Sequence, residues 1–98
     1  MQFTEETKQQ IFELCRKNKV KELSIFGSRA RGDNREDSDY DFLVEFQSDA
    51  DIDLFEYAGM QVNLEDIVGH KVELVDKVGL KRRVRDSVLA DAQPIYSS

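Results

Sequence analysis

Cysteine is almost missing from this chain: Cys15 stands alone among 98 residues. One thiol excludes an internal disulfide and any cysteine-built zinc site. Long apolar runs are missing too, and nothing approaches the ~20 residues that span a bilayer. The opening Met1-Gln2-Phe3-Thr4-Glu5-Glu6 lacks the basic start and apolar stretch of a secretory signal. The expectation is a cytoplasmic protein with no membrane segment. Positive charge is scarce, with 14 Lys and Arg against 20 Asp and Glu for a net charge of −6. Phosphate backbones are gripped by clustered Lys and Arg, so this balance argues against direct nucleic-acid binding.

The shortage is uneven. Acids crowd Asp33 to Glu56, whereas Lys81, Arg82, Arg83 and Arg85 form a basic cluster read as the solvated face of a helix. An acidic region can hold metal, and metal-bound nucleotide is less negative than free nucleotide. With 40% hydrophobic residues, a chain of this size holds one core and not two. Residues 1–98 are therefore expected to form a single domain.

Period and capping signals give the element order. Thr4 to Asn18 reads as a helix, with Thr4 as cap, Glu5 and Glu6 at its positive end and Ile11, Leu14 and Cys15 facing inward. Val20 to Phe26 reads as a strand, Ser28 to Arg31 as a helical turn closed by Gly32, and Asp33 to Ser38 as a polar loop. Asp39 to Phe46 is the clearest strand: Asp39, Asp41, Leu43 and Glu45 alternate with Tyr40, Phe42, Val44 and Phe46. Asp51 to Val68 reads as a helix with two apolar stripes, Leu54–Phe55–Ala58 and Met60–Leu64–Ile67–Val68, and a break or kink at Gly59. Lys71 to Val75 reads as a strand and Leu80 to Ala92 as a helix stopped by Pro94, with a short strand at Ile95-Tyr96. This order predicts an α/β (α+β) fold, one mixed sheet of three to four strands flanked by helices.

Two clusters carry chemistry. Asp39 and Asp41 are two apart on a strand, so both side chains leave one face with Cα atoms roughly 6.6 Å apart. Carboxylates so placed repel each other unless a cation lies between them, and they suit one Mg²⁺ or a pair of ions ~3.5–4 Å apart. Gly27-Ser28 ends the preceding strand, where glycine lets a phosphate approach the backbone and a helix start attracts anions. Ten residues separate Ser28 from Asp39, which sets an anion cradle beside a metal site on neighbouring strands. A third acid is Glu73, the one carboxylate within Lys71-Val72-Glu73-Leu74-Val75. Such a charge is costly to bury unless paired or metal-bound. Asp76 is a rival at the strand end, where a solvated turn residue is expected. His70 reads as an exposed turn residue and Cys15 as core.

Gly27-Ser28-Arg29-Ala30-Arg31-Gly32, Asp39-x-Asp41 and Gly69-His70-Lys71-Val72-Glu73-Leu74-Val75 together resemble the minimal nucleotidyltransferase (MNT) family of the DNA polymerase β-like superfamily. The resemblance runs from Leu23 to Tyr96. It implies the polymerase β-like nucleotidyltransferase fold, with Gly27 and Ser28 on the triphosphate. Asp39, Asp41 and Glu73 would hold two Mg²⁺ and act catalytically, and Arg29 or Arg31 would neutralise phosphate. Glu73 departs from the family's usual aspartate by one methylene. The resemblance further implies an antitoxin that moves AMP from ATP to a tyrosine of a HEPN-domain RNase toxin in a hetero-oligomer. The alternative is an inactive domain of the same fold that neutralises its toxin by contact alone. A small-molecule nucleotidyltransferase ranks last, because no acceptor-binding domain is present.

Overall fold

Capping and alternation decide the elements of the computed structural model, which describes residues 3–98; Met1 and Gln2, counted in the expected domain and leaderless start, lie outside it. Helix α1 spans Glu5–Lys17, and the Thr4 hydroxyl accepts from the Thr7 amide at 3.2 Å. Strand β1 is Val20–Phe26, helix α2 Ser28–Arg31 and strand β2 Tyr40–Phe46. Helix α3 is Leu54–Val68, started by a capping box in which Asp53 accepts from Glu56 N at 2.8 Å and Glu56 reaches back to Asp53 N. It runs unbroken through Gly59, so the expected break does not form. Strand β3 is Val72–Asp76, followed by a 3-10 turn at Lys77–Gly79, helix α4 at Arg82–Asp91 and strand β4 at Gln93–Ser97.

The mixed sheet has the order β3-β2-β1-β4, with β2 and β3 parallel and the other two pairs antiparallel. Pro94 sits within β4, an edge strand, where the missing N–H costs no ladder bond on the open side. Register places Ile25, Phe42 and Leu74 in one row and Leu23 beside Val44. These residues join Ile11, Leu14 and Cys15 of α1 and Met60 and Leu64 of α3 in a single buried cluster. Each fully buried side chain of this size contributes about 1.5–3 kcal/mol. Because side chains alternate, Asp41, Leu43, Glu73 and Val75 leave the opposite face of the sheet.

One of the two stripes faces outward. Leu54, Phe55 and Ala58 were read as an apolar stripe beside the second, and here Leu54 is 84% exposed, Phe55 89%, and Ala58 is exposed as well. The sheet accepts only one side of α3, and Met60 and Leu64 take it.

Candidate active site

The site forms where β1 ends and β2 and β3 begin. Gly27 follows β1 with φ +76° and ψ −157°, a region essentially restricted to glycine. A Cβ there would collide with the Asp41 carboxylate, so the Gly27 backbone and Asp41 lie in direct apposition. Ladder register explains why: Phe26 pairs with Asp41 across β1 and β2. Asp41 in turn pairs with Glu73 across the parallel β2–β3 ladder. A glycine turn, a half-buried carboxylate and an exposed carboxylate thus follow one another across three adjacent strands.

Electrostatics match this order. Burial raises the Asp41 carboxyl above the ordinary value, the Glu73 charge raises it further, then Asp39; Arg31 opposes them. Asp41 therefore feels both other acids, and an all-oxygen set of this kind suits a hard cation such as Mg²⁺. Asp39 and Glu73 are exposed, and among the described residues no three Asp, Glu, His or Cys side chains already converge as a metal cage. The donor chemistry fits, while the rotamers are not closed around an ion.

Ser28 opens α2, so its hydroxyl and the first amides of the turn stand beside Gly27. Arg29 is placed differently from the phosphate contact expected of it. It is 7% exposed, its Nε and Nη2 donate to Ser38 O at 3.0 and 2.8 Å, and Nη2 donates to Glu36 O at 3.0 Å. Its guanidinium also lies 4.1 Å from the Tyr40 ring centre. Arg29 thus braces the 33–38 loop that delivers Asp39. Arg31 is exposed and pairs with Asp33 at 3.1 Å and Asp91 at 2.7 Å, tying α2 to the end of α4. Gln93 adds a second tie, donating to Ala30 O at 2.8 Å.

Asp76 does not join the acids; its carboxylate accepts from Val78 N at 3.0 Å and starts the 3-10 turn. His70 is half-buried, edge-on to Tyr40 at 5.5 Å. The Arg29 brace and the Gln93 tie were not legible, since both act over seven or more residues onto backbone carbonyls. The alternation of Tyr40 was the only available hint of an aromatic beneath Arg29.

Comparison with known proteins agrees with this geometry. The profile of the "Nucleotidyltransferase domain" family matches residues 8–95. The chain is 33% identical over 87 residues to a Methanocaldococcus jannaschii protein named "Putative protein adenylyltransferase", covering 89% of this chain and 91% of the relative. It superposes with TM-score 0.75 on a solved "putative minimal nucleotidyltransferase", at 37% identity over 89% of this chain and 87% of the other. A toxin–antitoxin structure containing AMP-PNP shares the fold, with TM-score 0.76 and 22% identity over 93% and 73% of the two chains. A Shewanella oneidensis complex of MNT antitoxin with tri-AMPylated HEPN toxin shares it as well, with TM-score 0.68 and 19% identity over 94% and 71%.

Proposed function

The chain belongs to the nucleotidyltransferase domain family, and from that premise we propose that it is an antitoxin transferring AMP from ATP to a tyrosine of a partner HEPN-domain RNase toxin in the cytoplasm. The observation that carries this reading is the apposition of Gly27 to Asp41 and the pairing of Asp41 with Glu73. Gly27 and Ser28 cradle the triphosphate, because bare backbone and a hydroxyl donor face it there. Asp39, Asp41 and Glu73 hold Mg²⁺, which when bound neutralises the phosphates and makes the acceptor hydroxyl easier to ionise. Arg29 keeps Asp39 in place through the loop.

The acceptor oxygen attacks the α-phosphorus in line. An O–P bond forms, the α–β bridging P–O bond breaks, and pyrophosphate leaves with the bond's electron pair. The tyrosine proton passes to the exposed carboxylate edge at Glu73 or to water. Fold similarity to an MNT antitoxin solved with an AMPylated HEPN toxin supports the choice of acceptor. Incubation with ATP labelled at the α or the γ phosphate tests the reaction class. Label on the partner from the α phosphate alone fits the proposal, and label from the γ phosphate would make the chain a kinase. The alternative, neutralisation by contact alone, draws on one observation: Glu73 stands exposed, and among the described residues no three acids already converge as a metal cage.

A further inference from the structure

Helix α3 is apolar on two sides. Its inner side carries Met60 and Leu64, both buried. Its outer side carries Leu54, Ala58 and Val62 at i, i+4 and i+8, with Phe55 and Gly59 alongside. All five are exposed; Leu54 is 84%, Phe55 89% and Val62 54% accessible. A contiguous exposed apolar helix side marks a contact surface. Nothing within the described chain covers this outer side.

The surroundings specify the cover. Asp51, Asp53 and Glu56 flank the start of the stripe and Asp66 its end, all exposed, and no Lys or Arg occurs between Glu36 and His70. A symmetric pair of these chains would lay the two stripes antiparallel or, about an axis along the helix, parallel, with Asp51 and Asp53 then facing their own copies. In the antiparallel pair Asp51 and Asp53 of one copy would meet Asp66 of the other, and in both pairs like charges would oppose the contact. We propose that the outer face of α3 docks a different protein, through a helix whose apolar side is flanked by Lys and Arg. Leu54 and Phe55 are the anchors, and the small Ala58 and Gly59 let the partner helix approach closely.

The docking face lies across the sheet from Asp41 and Glu73. Because α3 packs beside the edge strand β3, a docked partner reaches the acids around that edge. Docking and chemistry are therefore separable. The inference rests on the reading that the acceptor is a protein, and its test uses a HEPN-domain protein from the same organism.

Affinity is measured by titration calorimetry for wild type, Leu54→Ser/Phe55→Ser, Asp51→Lys/Asp66→Lys and Asp41→Asn. Both anchors are solvent-exposed, so thermal melts of the first variant should match wild type. We expect roughly tenfold or greater weakening for Leu54→Ser/Phe55→Ser, as for central anchors of an interface. The Lys pair should weaken binding at low salt and flatten its salt dependence. Asp41→Asn should leave affinity unchanged. Unchanged affinity in the anchor variant overturns the docking face while leaving the proposed reaction standing. No complex with wild type overturns the partner reading and the docking face together. Concentration-dependent self-association that disappears in the anchor variant overturns the choice of occupant in favour of a second copy.

Discussion

At the scale of single residues, Gly27 is the most constrained position. Its φ of +76° and the Asp41 carboxylate against its α-carbon leave no room for a side chain. Gly27→Ala should cost about 2 kcal/mol, roughly 10 °C in Tm for a domain of this size, and should displace Asp41. A thermal melt reads the first effect and loss of nucleotidyl transfer the second. Cys15 shows the opposite kind of constraint. Burial in the core pushes its thiol from 9.0 up to about 12, so it is packing and not a nucleophile. Because the folded value is the higher, the native state keeps a proton that the unfolded state releases between pH 9 and 12. Stability therefore falls as pH rises through that window and is unaffected below it, by up to about 1.4 kcal/mol per unit. Urea unfolding at pH 8 and pH 10.5 should show this slope in wild type and a smaller one in Cys15→Ala.

At the scale of elements, the short helix α2 and the 33–38 loop act as one unit through Arg29. Arg29→Lys removes the planar fork that serves Ser38 O and Glu36 O together. We expect a loss of about 2–3 kcal/mol in denaturant unfolding. Faster amide exchange over residues 33–38 should accompany it, with transfer activity falling as Asp39 loses its support. Much of the element map was legible, because strict alternation in β2 and the cap residues Thr4 and Gly32 are local signals. The Asp41–Glu73 pairing was not legible, because the pattern of each strand is silent on which strand lies beside it and in which direction. The exposure of the Leu54–Phe55–Ala58 stripe was not legible for a physical reason: periodicity finds an apolar helix side and is silent on whether this chain or another covers it. Strand β4 was seen only as Ile95-Tyr96, because Pro94 reads as a breaker until its edge position is known.

At the scale of the whole molecule, the sheet separates two tasks. One face, under α1 and α3, provides the core; the other presents Asp41 and Glu73. Among the described residues no helix is long and apolar enough to cross a membrane. The ties from Arg31 to Asp91 and from Gln93 to Ala30 fasten the C-terminal elements to the glycine turn, so the last strand bears on the geometry of the site. Contact of these distant segments was invisible in the sequence, where they lie about sixty residues apart.

The most direct test of nucleotidyl transfer to a protein acceptor is intact-mass spectrometry of a HEPN-domain protein from the same organism after incubation with this chain, Mg²⁺ and ATP. The expected result is a gain of one or more AMP units on that protein, absent when Asp39→Ala/Asp41→Ala replaces wild type. A gain that persists in the double variant, or no gain with any of the four ribonucleotides despite a stable complex, would contradict it.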